Sequence, residues 1–94
     1  MDRLTRPDPA NSGRFYVPTG NIMRNGDNYT GHAVNKLAIF ENICEDLLAY
    51  QETISDELER LKSQNKSNSF KFKELMAKKI TNNNIITLFK SYGL

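Results

Sequence analysis

The residues best suited to chemistry are the lone histidine, His32, and the lone thiol, Cys44. A nucleophile–base pair or a metal site needs such donors within bonding reach of one another, with further groups to orient them or complete the ligand set. Twelve positions separate these two, on or beside a helix, and Cys44 falls at an inward heptad position. The pair therefore reads as a solvated helix-start histidine and a core cysteine. Carboxylates also recur in pairs, Glu41 with Glu45 and Asp56 with Glu59, at spacings that place both acids on one helix face. Opposite an apolar stripe such a face is a solvated one, not an acid–base couple. The stretches PTGN (18–21) and RNGDN (24–28) hold glycine turns, but they lack the strand-before, helix-after context and the lysine of a phosphate-binding loop. No catalytic residue, cofactor site or metal ligand is assigned, and the chain is read as a non-enzyme.

The element that carries most of these residues is a long amphipathic helix, expected over about 31–62. Leu37, Phe40, Cys44, Leu47, Gln51, Ile54, Leu58 and Leu61 follow one another at spacings of three and four, the a/d seam of a heptad repeat, and only Gln51 interrupts its apolarity. In the first half the stripe is widened by Val34, Ile43, Leu48 and Tyr50; beyond Gln51 the flanking positions are Ser55, Glu57 and Lys62. A broad stripe suits a helix packed in a globular core and a narrow one suits a two-helix contact. The first half is thus the expected intramolecular core, and Leu58 and Leu61 the expected contact between chains. Thr30 is the expected N-cap, with Tyr29 stapled on Val34.

After the polar run 63–68, Ser67 or Ser69 can cap a second helix over about 70–80 that buries Phe72, Leu75, Met76 and Ile80. Thr81-Asn82-Asn83-Asn84 reads as an interruption, because asparagine favours turns over helix interiors, and a third helix over about 83–92 then buries Ile85, Ile86, Phe89 and Tyr92 before Gly93. The alternative is one continuous or kinked helix over 70–92. Residues 1–32 hold all three prolines and four of the five glycines, which makes them an extended arm. Within it, 14–17 and 21–24 flank Pro18-Thr19-Gly20, and Asn25-Gly26 is a turn dipeptide, giving a small β-hairpin. The fold class is mainly α: a long helix plus one or two shorter ones, as a helical hairpin or three-helix arrangement, behind an extended arm.

Ninety-four residues with 38% apolar side chains and no tryptophan bury a modest core, so part of the chain is expected to be ordered by a partner. The net charge of +2 hides an uneven distribution. Residues 33–62 carry seven acids against three bases, net −4; residues 63–94 carry six lysines against Glu74, net +5. Folding the second segment back on the first would set opposite charges beside an apolar contact, each surface pair worth ~0.2–1 kcal/mol. One cysteine rules out an intrachain disulfide and suits a reducing cytoplasm. The start, with Pro7 and Pro9, lacks the apolar core of a secretory signal, and no apolar run reaches membrane-spanning length.

The segments MDRLT (1–5), FYVPTG (15–20) and YTGHAVNKLAIFE (29–41), with a fainter echo in FKELMAKK (72–79) and LFKSYGL (88–94), resemble a group of small uncharacterised proteins encoded in phages and prophages of low-GC Gram-positive bacteria. The resemblance implies a mobile-element origin and carries over no functional residue. Three functional readings follow. The first is protein interaction or self-association through the seam from Leu37 to Leu61, with Gln51 fixing register or oligomer number and the partner being a second copy or a host protein; the equal alternative is that the seam is the internal core of a three-helix fold. The second is DNA binding by the basic C-terminal helices, where 73–90 loosely matches a helix-turn-helix and Lys71, Lys78, Lys79 and Lys90 would contact phosphates. The third, implied by the resemblance alone, is a phage factor that binds a host defence component, for which Arg14, Phe15, Tyr16 and Arg24 would be anchors.

Overall fold

The computed structural model describes residues 2–94. The protein is mainly α; among the described residues it has two helices, α1 (His32–Ser63) and α2 (Phe70–Ser91), preceded in the sequence by an arm of short strands: β1 (Arg6–Pro7), β2 (Phe15–Tyr16), β3 (Met23–Asn25) and β4 (Asn28–Thr30). Among the described residues no helix is long and apolar enough to cross a membrane. The chain divides into two compact units, 1–41 and 42–94.

In the first unit the arm forms two antiparallel ladders instead of the single expected hairpin, and Pro18-Thr19-Gly20 joins no strands. Residues 19–21 wind into one 3₁₀ turn, in which the Asn21 N–H donates to the Pro18 carbonyl. The Phe15–Tyr16 strand pairs backward, Arg6 with Tyr16 and Pro7 with Phe15. Asp8 closes that loop by accepting from the Ala10 N–H (2.9 Å) and the Asn11 side-chain amide (3.3 Å), an Asx-type turn that local chemistry favours over a more distant pairing. The second ladder, Met23–Asn25 on Asn28–Thr30, turns over Gly26-Asp27, one residue later than expected. Gly26 has φ +63° and Asp27 no positive φ, the type II′ pattern with glycine first.

Thr30 belongs to β4 and does not cap α1. The hinge is Gly31, whose carbonyl accepts from the Asn35 N–H (3.0 Å). Its φ is +122°, and a Cβ there would lie 2.7 Å from the Asn21 carbonyl oxygen. Only glycine fits, and the close approach sets where the helix starts.

In the second unit α1 and α2 form an antiparallel helical hairpin: Ile54, Leu58 and Leu61 cluster with Leu75 and Phe72, whereas Leu47 and Gln51 meet Asn82. The turn at its closed end is built from hydrogen bonds. Lys66 N–H donates to the Leu61 carbonyl (2.9 Å) and Asn65 N–H to the Lys62 carbonyl (3.1 Å), with Asn65 left-handed at φ +58°. These are the two bonds of a Schellman stop, with asparagine in the place glycine usually takes. Ser69 then caps α2, its Oγ accepting from the Phe72 N–H at 3.1 Å.

Helix α2 is continuous through 81–84, so the hairpin has two helices and no third. Asparagine costs ~0.5–0.7 kcal/mol relative to alanine in a helix interior. Asn82 recovers that cost, because its side-chain amide donates to both the Leu47 carbonyl and Gln51 Oε1 at 2.9 Å, bonds worth ~0.5–1.5 kcal/mol each. Tertiary hydrogen bonding outweighs local preference. At the far end Leu94 N–H donates to Phe89 and Gly93 N–H to Lys90, with Gly93 at φ +91°, a second Schellman stop.

Candidate functional site

The structure separates the seam residues into three environments. Leu37, in the first unit, is 57% exposed. Phe40, Cys44, Leu47 and Gln51 are half-buried, and Ile54, Leu58 and Leu61 are buried. This reverses the expected division of α1: the narrow half holds the intramolecular core, and the broad half is open. The physical reason is matching. A narrow seam presents about one apolar row, which a single neighbouring helix covers, whereas a broad stripe exceeds what one helix can cover.

Gln51, expected to fix register between chains, is engaged within the chain by Asn82. Asn82 is only 5% exposed, and among the described residues no buried side-chain polar atom lacks a partner. The pair is a satisfied polar layer that fixes how α2 lies along α1.

At the closed end Ile54, Leu58, Leu61 and Leu75 are buried, beside a groove of about 510 Å³ that Glu57, Arg60 and Lys71 also line; at the open end apolar side chains face outward. On α1 Ile43, Leu48 and Tyr50 are exposed, Leu48 at 57% and Tyr50 at 45%, and on α2 Ile80, Ile85 and Leu88 are exposed. Tyr50 stands at the centre of one side. It borders a shallow groove of about 320 Å³ with Lys78, Thr81 and Ile85, and a second of about 250 Å³ with Ile43, Asp46 and Leu47. On the other side Cys44 and Leu48 border a smaller apolar groove of about 90 Å³ with Ile86, Phe89 and Leu94. There the helix stop folds Leu94 back toward Phe89, the hydrophobic contact that accompanies a Schellman motif. No family model matches this chain, and no curated protein or solved structure is significantly similar to it.

The four lysines proposed for phosphate contact are not gathered into one site. Lys71 lies beside Glu57, Lys78 pairs with Glu74 at 3.1 Å, Lys79 is half-buried and Lys90 borders the Leu94 groove. Because 81–84 makes no turn, the helix-turn-helix arrangement does not form. The salt bridges among the described residues, Glu57–Arg60 and Glu74–Lys78, each lie within one helix. The Glu57 carboxyl is held below its ordinary pKa chiefly by its hydrogen bond to the Arg60 guanidinium, with the Lys71 charge adding to it. Lys78 is raised, first by its bond to Glu74.

His32 is exposed and Cys44 half-buried in the hairpin. Among the described residues no group of three or more His, Cys, Asp or Glu is placed to hold a metal ion. In the first unit Phe15 and Tyr16 are exposed, and the Arg3 guanidinium lies 5.5 Å above the Phe15 ring, a cation–π contact within the arm. The proposed anchor Arg24 donates to the Gly26 carbonyl at 3.0 Å, bracing its own turn.

Sequence reasoning missed Tyr50 as a hub and Asn82 as a core residue. Asn82 lies 31 positions from Gln51, and two polar residues that interrupt two separate apolar stripes were the available signal.

Proposed function

We propose that this chain is a non-enzymatic helical interaction module of the cytoplasm that associates with a second copy of itself through the open end of its hairpin. The observation that supports this reading is the exposure of Ile43, Tyr50, Ile80 and Leu88 around the stretch of hairpin where the polar side chain of Asn82 is buried. Soluble monomers rarely leave contiguous apolar faces uncovered, and such faces mark interaction sites. The closed end adds to the argument. Its core consists of four buried apolar side chains, each worth roughly 1.5–3 kcal/mol, a small driving force for ordering two long helices. Association would complete the core that one hairpin lacks.

Lone Cys44 agrees with a reducing compartment, and the mobile-element origin suggested by the N-terminal resemblance belongs to the same reading. Sedimentation velocity of the full chain over a wide concentration range tests it. A mass that rises from one to two chains is expected, and a single chain at every concentration would sink the idea.

A further inference from the structure

Self-association leaves open which side of the hairpin is used and in what orientation. We infer that two copies pair face to face through the side centred on Tyr50, with α1 of each copy laid over α2 of the other. The inference rests on the self-association reading and goes beyond it by naming a face and a geometry.

Two observations choose the face. The Cys44–Leu48 side is partly occupied from within the chain, where the Schellman stop sets Leu94 beside Phe89 along the same groove, itself only about 90 Å³, although Leu94 stays 68% exposed. On the Tyr50 side three adjoining grooves, of about 320, 250 and 510 Å³, meet at a single aromatic side chain, and among the described residues of the hairpin no terminal residue lines them. A half-exposed tyrosine at the junction of apolar grooves is the kind of anchor on which binding energy concentrates.

Charge chooses the orientation. Residues 33–62, almost all of α1, carry net −4, and residues 63–94, which include α2, carry net +5. Two hairpins related by a two-fold axis can meet in two ways. With the axis across the helices, α1 lies over the partner's α1 and like charges face each other. With the axis along the helices, α1 lies over the partner's α2, opposite charges face each other, and each helix runs antiparallel to its neighbours. Charge complementarity steers and orients association, and juxtaposed like charges are penalised.

The second arrangement also matches the apolar residues. Because Gln51 sits level with Asn82, Tyr50 of one copy comes over the Thr81–Ile85 turn of the other, and Ile43 comes over its Leu88 turn. Asp46 and Lys78 lie at the margins of this patch. The product is a four-helix bundle at the open end, with both hairpin turns at the same end of the dimer.

The test uses the full chain. Ile43→Glu and Ile85→Glu, at exposed positions, are expected to weaken the dimer by at least about a hundredfold while helicity by circular dichroism is kept, and Leu48→Glu is expected to leave it intact. Spin labels placed through Ser67→Cys in a Cys44→Ala background read the orientation by pulsed dipolar spectroscopy. Turns at the same end give a separation within about 25 Å, from helix spacings of ~8–10 Å plus the labels. Inversion about Tyr50 would give about 40 Å, twice the ~1.5 Å per residue run from Tyr50 to the end of α1. A dimer broken by Leu48→Glu and not by Ile43→Glu overturns the face, and the longer separation overturns the orientation, in both cases with self-association intact. A wild-type chain that never dimerises removes the underlying reading instead.

Discussion

The two ends of the helical hairpin are built from the same pair of helices and differ in what lies between them. At the closed end Ile54, 1% exposed, stacks with Leu58, Leu61 and Leu75, and the connecting turn is tied by two Schellman bonds and the Ser69 cap. At the open end the helices meet through Leu47, Gln51 and Asn82, and larger apolar side chains point away from the contact. One end is finished by packing within the chain. The other is held in register by hydrogen bonds and left with apolar surface to spare. Apolar content alone therefore does not locate a core; what decides is whether the facing element can cover the stripe presented to it.

The largest test of this contrast is truncation at the closed end. Ile54→Ala should cost about 2–5 kcal/mol in denaturant unfolding, and the exposed Leu48→Ala less than about 0.5 kcal/mol under conditions where the chain is monomeric. Equal effects would erase the distinction. Next is the polar layer. Asn82→Ala deprives Gln51 of its partner within a half-buried contact and should cost about 1–3 kcal/mol. Replacing both Asn82 and Gln51 by Leu should return most of that stability and loosen the register, seen as broadened or doubled amide resonances for 43–51.

Smaller effects belong to the turn. Ser69→Ala should lower stability by about 1 kcal/mol through the lost cap. Asn65→Ala should cost a similar ~1–2 kcal/mol, because alanine tolerates the left-handed backbone poorly. The smallest effect is electrostatic. Glu57 has a lowered pKa from its bond to Arg60, so its contribution is complete above the ordinary carboxylate range and is lost as the pH falls through the lowered value. The difference in melting temperature between wild type and Glu57→Gln should therefore be slight at neutral pH and vanish in acid.

Much of the architecture was legible in the residues. The three-and-four spacing from Leu37 to Leu61 specified a long helix, Ser69 and Gly93 marked the ends of the next, and the proline and glycine content set the first thirty residues apart. The misreadings share one cause, competition between local preference and distant partners. The asparagine run favoured a break, and two hydrogen bonds from Asn82 to α1 kept the helix whole. Thr30 was a good cap by type, but the close approach of Gly31 to Asn21 moved the helix start. The width of the stripe on α1 was visible and its meaning was inverted, because sequence shows how much apolar surface a helix offers and not how much its neighbour can cover.

Residue-resolved hydrogen exchange of the full chain at low and high concentration tests the contrast between the two ends most directly. The account predicts that amides of 43–50 and 80–90 gain protection as concentration rises, while those of 54–61 and 72–76 change little. Protection that is independent of concentration, or that rises first at the closed end, would contradict it.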